Sequence, residues 1–131
     1  MSAQSDPSFD MTLPEYVRQP VTAQDGNYVL NRCGALLFTM GEFLEILRPE
    51  ASDTAFQRSD VYLWASAELS GRGVAAERRK VRRMNDVYGE AIERRLNAGG
   101  PLLTDELEAD LDYCKDVEGA VAHAVDVKER T

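Results

Sequence analysis

The sequence predicts an all-α protein: an antiparallel four-helix bundle preceded by an extended or disordered N-terminal arm. Two observations carry this. Apolar residues recur at helical spacing over four segments of similar length, and short connectors rich in glycine and proline separate those segments. At 1.5 Å per residue the four helices span roughly 27–36 Å, matched lengths that suit a bundle. A chain of 131 residues, 44% hydrophobic and 29% charged, suffices for one domain with a real core. The expected division is an arm over residues 1–26 and a single helical domain over residues 27–131.

The arm carries Pro7, Pro14 and Pro20 among small polar residues, without a sustained period. Phe9, Met11, Leu13, Tyr16 and Val17 are its scattered apolar anchors. Asn27 is the expected N-cap of the first helix, which Pro49 closes behind Arg48. Val29, Leu30, Cys33, Leu36, Leu37, Met40, Phe43, Leu44 and Leu47 fill one broad face, as a central helix requires. Gly34, Phe38 and Gly41 share another side and allow close approach by a second helix, from the same chain or a dimer partner.

Ser52 or Asp53 is the expected cap of the second helix, which runs to about Ser70. Phe56, Leu63 and Ala67 lie on one of its sides, and Val61, Ala65 and Leu69 on another. A helix apolar on two sides is sandwiched in the fold or buried in an oligomer. Gly71-Arg72-Gly73 then turns the chain into a third helix from about Val74 to Asn97, which Gly99, Gly100 and Pro101 terminate. Val74, Val81, Met84, Tyr88, Ile92 and Leu96 form its stripe. Thr104 caps the last helix, whose stripe is Leu107, Leu111, Cys114, Val117, Val121 and Val125.

No catalytic set can be assembled, so the expectation is a protein that is not an enzyme and needs no cofactor. His123 is the single histidine and faces away from the apolar stripe; neither a nucleophile–histidine set nor a di-iron Glu-x-x-His pair forms around it. Cys33 and Cys114, 81 positions apart, lack zinc-finger spacing. They read as reduced core thiols of a cytoplasmic protein, with one disulfide as the alternative. The longest apolar run, Val61 to Ala65, is too short for a membrane span. The N-terminus does not read as a secretory signal. Gly71 to Ala76 matches G-x-G-x-x-A, but the segment before it reads as helix rather than strand, so a hinge is the better reading.

Charge is strongly segregated. The net charge is -8, yet Glu77 to Arg95 holds seven basic and four acidic residues. Asp105 to Thr131 holds nine acidic and three basic. Pairs Arg82–Asp86 and Glu90–Arg94, each at i,i+4, are expected to answer part of the basic charge. Asp60, Asn85 and Glu118 interrupt apolar stripes and suggest a core polar network with Arg78 or Arg95.

Together these features point to a non-enzymatic protein-binding module: a small acidic adaptor, inhibitor or assembly subunit, expected to be a homodimer. The expected interface is Tyr62, Trp64, Arg79 and Arg83 with Asp105, Glu106, Glu108 and Asp112. With Asp110 and Asp116, those last acids make a surface able to imitate nucleic-acid phosphates. The alternative is a nucleic-acid or nucleotide binder using Arg72, Arg78, Arg79, Lys80, Arg82 and Arg83.

Overall fold

A computed structural model describes residues 11–18 and 26–130, with side chains through His123. The described chain is helical: α1 (Leu13–Val17), α2 (Gly26–Leu44), α3 (Pro49–Ser70), α4 (Val74–Asn97) and α5 (Asp105–Arg130). Helices α2 to α5 form the expected bundle. Part of the expected arm is folded: Thr12 caps α1 through a reciprocal bond with Glu15, and Leu13 and Tyr16 are buried. Phe9, Pro7 and Pro20 lie outside the described residues.

Helix α2 is the central element and packs on α3, α4 and α5. Every residue from Val29 to Leu37 is buried. Two helix boundaries differ from expectation. Asn27 lies inside α2, where its side chain is held by Ser66 and Glu77 rather than acting as a cap. Pro49 opens α3 instead of closing α2, a position where its missing N–H is no loss. The turn between them leaves Leu47 exposed, so it does not join the core face. Ser52 consequently falls inside α3, and Asp53 is exposed there.

The glycine face of α2 packs within the chain, against α3. A Cβ on Gly34 would stand 3.3 Å from Tyr62 Cβ, and one on Gly41 only 2.7 Å from the Phe56 ring. Close approach brings backbone carbonyls within reach of short hydroxyls. Ser59 Oγ donates to the Gly34 carbonyl at 2.7 Å, and Ser52 Oγ to the Gly41 carbonyl at 2.7 Å. Asn27 Nδ2 donates to Ser66 Oγ, also at 2.7 Å. Asn27, Gly34 and Gly41 are one heptad apart, as are Ser66, Ser59 and Ser52, so the three contacts repeat one antiparallel register. The small-residue surface of α3 is therefore its buried one, while Val61, Trp64 and Leu69 face outward.

The cysteines correct a second expectation. Cys33 of α2 and Cys114 of α5 form a disulfide, with Cα atoms 5.5 Å apart, inside a core that includes Leu13, Leu30, Leu37 and Tyr62. Both lie on inward faces, as their stripes indicated, and the bundle brings those faces together. Thr104 does cap α5, accepting from Leu107 N–H at 3.2 Å. Among the described residues no helix is long and apolar enough to cross a membrane.

Candidate functional site

Two buried ionic clusters brace the bundle, and a third charged region lies open. The first cluster centres on Arg32 of α2, which is almost fully buried. Its guanidinium donates to Asp110 Oδ2 at 3.1 Å, Tyr88 Oη at 2.7 Å and the Met11 carbonyl at 2.8 Å. Tyr88 donates in turn to Asp110 Oδ2 at 2.9 Å, and Leu13 N–H to Asp110 Oδ1 at 2.6 Å. Burial works against the Arg32 charge, but Tyr88 and Asp110 outweigh it and hold the guanidinium charged. A hollow of about 420 Å³ lies over this cluster, between α1, α4 and α5. Both oxygens of Asp110 are already taken by protein donors, so the floor serves to lock α1, α2, α4 and α5 together.

The second cluster surrounds Glu77, which is fully buried on α4. Its carboxylate accepts from Asn27 (3.0 Å), Asn31 (3.1 Å), Ser70 (2.9 Å) and Arg72 (3.1 Å). Lys80 lies 3.4 Å away. Burial alone would raise the Glu77 pKa, but the bonds from Asn31, Asn27, Arg72 and Ser70 prevail and hold it well below the usual range. A carboxylate with a depressed folded-state pKa contributes stability above its unfolded pKa of about 4.3, and that contribution falls away as pH drops further. Stability should therefore decline below about pH 4–5. In Glu77→Gln, already weaker at neutral pH, the decline should be shallower; equal slopes in urea titrations at several pH values would refute this.

The third region is the outer face of α4. Arg78, Arg79, Arg82 and Arg83 are exposed, and among the described residues no carboxylate lies within ion-pair distance of them. The expected Arg82–Asp86 and Glu90–Arg94 pairs do not form among the four ion pairs seen. Arg72, Arg79, Lys80, Arg82 and Arg83 line one open hollow of about 450 Å³ with Ala76 beneath them. Of the six residues singled out for phosphate, five thus converge, and Arg78 stands aside. Farther along α4, before the basic last turn at Arg94 and Arg95, Asp86, Glu90 and Glu93 share a hollow with Glu42 of α2.

The expected protein interface is only partly assembled. Trp64 is 42% exposed and lines a shallow hollow with Ala67, Glu68, Gly71, Gly73 and Val74 at the α3–α4 turn. Tyr62 is fully buried: its hydroxyl donates to the Cys114 carbonyl, so it is a core residue and not an interface residue. Burial pushes its pKa up, reinforced by Glu118. Asp105, Glu106, Glu108, Asp112 and Asp116 are exposed on α5, but Asp110 leaves that acidic surface for the Arg32 cluster.

Among the stripe-interrupting residues, Asp60 is exposed because its side of α3 faces solvent. Asn85 accepts from Thr39, and Glu118 pairs with Arg58 at 2.6 Å. Arg95 instead donates to the Pro101 and Leu102 carbonyls, closing the α4–α5 turn. The Gly71–Gly73 stretch is a turn after helix α3, with Gly71 in the left-handed conformation as its C-cap. His123 is exposed.

Sequence reasoning missed Arg32 and Glu77 as buried ions, although signals existed. Glu77 lies three residues after Val74 and four before Val81, on the α4 stripe itself. Asp110 holds the same kind of position between Leu107 and Cys114. Among the described residues no group of three or more His, Cys, Asp or Glu side chains is placed to hold a metal. No family model, curated protein or solved structure matches this chain.

Proposed function

We propose that this chain is a non-enzymatic binding module that docks on another protein through the corner where α3 turns into α4. One observation carries the reading: Arg79, Arg82 and Arg83, which meet no carboxylate among the described residues, line an open hollow on α4, and a half-exposed tryptophan lines a second one at the α3–α4 turn, in a protein that is acidic elsewhere. Tryptophan and arginine are the side chains that dominate protein interfaces when a partner desolvates them. Val74, partly exposed, lines the same hollow as Trp64 and extends the apolar part of this corner. Arg79 and Arg83 supply the charged flank, so the fitting partner presents acidic residues around an apolar socket. The acidic side of α5 is a separate surface for a basic partner.

The expectation of a cytoplasmic protein rested on reduced thiols and on an N-terminus that does not read as a secretory signal, and the disulfide removes the first of these grounds. A homodimer through the Gly34–Gly41 face is replaced by the α2–α3 contact; self-association through the Trp64 corner is a competing occupancy of the same surface.

The test starts from protein purified without nuclease, followed by size-exclusion chromatography with light scattering. A protein-like 260/280 nm ratio at low and high salt is the expected result. A raised ratio that collapses in high salt overturns the protein reading in favour of nucleic acid. Once a partner is reconstituted from purified components, Trp64→Ala should weaken binding by about 2 kcal/mol, roughly 30-fold. An unchanged affinity would refute the assignment of this corner.

A further inference from the structure

The hollow on the first half of α4 has properties that a protein contact alone does not require, and we infer that it is a binding site for a compact oligophosphate. The inference uses the same open arginine face as the docking reading but does not depend on the identity of a protein partner. Between residues 72 and 83 the chain holds six basic side chains and one acid, Glu77. That acid is fully buried beneath the helix, so it cannot confront a ligand in the hollow. Instead it fixes two of the basic groups, Arg72 at 3.1 Å and Lys80 at 3.4 Å, at the edge of the site. Arg79, Arg82 and Arg83 complete the lining, and among the described residues no carboxylate is in ion-pair contact with them.

Charge density selects the ligand class. Five basic side chains line one open hollow of about 450 Å³ on this stretch of chain. An acidic peptide carries at most one carboxylate per residue and spreads its charge along an extended chain. Two or three linked phosphoryl groups concentrate about three to four negative charges in that space, and each offers oxygens that match the guanidinium fork. Ala76, the one non-basic lining residue, leaves the floor open. The first turn of α4 begins at the same end, behind Gly73, which provides no side-chain cap. The net charge of -8 does not forbid such a ligand, because beyond roughly 8–10 Å distant carboxylates are screened at physiological salt.

The probe is inorganic tripolyphosphate, titrated into the full-length, disulfide-bonded protein by calorimetry at low and moderate salt. The expected result is saturable one-to-one binding that weakens with salt. Arg79→Glu/Arg83→Glu should lower the affinity at least tenfold while leaving the thermal melt close to wild type, since both side chains are exposed. Ala76→Phe, which fills the floor without changing charge, should lower it as well. Trp64→Ala should leave it unchanged, so loss of a protein partner in that variant and loss of phosphate binding in the arginine variant separate the two readings. Absence of saturable binding, or binding indifferent to both the arginine reversal and Ala76→Phe, overturns the inference. A nucleoside triphosphate and a single-stranded oligonucleotide serve as comparison ligands. Binding of the triphosphate as tight as tripolyphosphate supports a compact ligand; tighter binding of the oligonucleotide, growing with its length, overturns it in favour of a polymer tracked along α4.

Discussion

Asp110→Ala should destabilise the protein by about 3–5 kcal/mol, because it strands a buried guanidinium. Arg32 would keep its charge and lose its carboxylate, while Tyr88 Oη and Leu13 N–H would lose their shared acceptor. The loss reaches several elements at once, since Asp110 sits on α5, Arg32 on α2, Tyr88 on α4 and Leu13 on α1. Urea denaturation would measure it, and a double change distinguishes an ionic cause from a packing one. Arg32→Met/Asp110→Leu removes both charges and should be markedly less damaging than Asp110→Ala alone, as apolar replacement of a buried pair often is. A single-mutant loss under about 1 kcal/mol, or a double mutant worse than the sum of the singles, would remove Arg32–Asp110 from its role as the central brace.

Cutting the Cys33–Cys114 bond should have a comparable effect by a different route. The bond joins residues 81 positions apart, and closing a loop of that length in the unfolded chain stabilises the fold by about 4.5 kcal/mol. Cys33→Ala/Cys114→Ala should therefore unfold at a much lower urea concentration than the oxidised protein. Reductant should shift the wild type in the same direction and leave the variant unmoved. Thiol titration of the unfolded, unreduced protein should find no free thiol; two free thiols would mean that the bond does not form. The bond fastens α5, which is also held by Tyr62 to the Cys114 carbonyl and by Arg58 to Glu118. These contacts make α5 the element whose attachment the bond most directly secures.

The helical segments were legible because each writes its burial as apolar residues three and four positions apart, and a pattern over twenty residues outweighs any single exception. Exceptions were harder to read. Glu77 and Asp110 each occupy a stripe position, and a charged residue there reads as noise until its partners are known. Those partners, Arg72 and Asn31 for one and Arg32 and Tyr88 for the other, come mostly from other helices. The same holds for the cysteines: two inward faces were visible, but whether they meet depends on how the bundle closes. The arginine hollow was half legible. Residue type and spacing marked the face, yet it is the fold, in which no described carboxylate pairs with these arginines, that leaves it open. Tyr62 and Trp64 show the limit from the other side, since two residues apart on one helix put one in the core and leave the other half-exposed.

The paired heptads of α2 and α3 restrict how this chain can change length. Asn27, Gly34 and Gly41 meet Ser66, Ser59 and Ser52 in a single register, so one residue inserted within α2 would rotate everything beyond it by about 100°. Hydroxyls would then face side chains instead of open carbonyls, and the helices would be pushed apart. An insertion of seven residues in α2, matched by seven in α3, would add one more glycine–serine step and leave the others in place. Variants of this chain that differ in length through this region should thus do so in whole heptads and in both helices together, whereas the turn at residues 45–48 is free to vary singly.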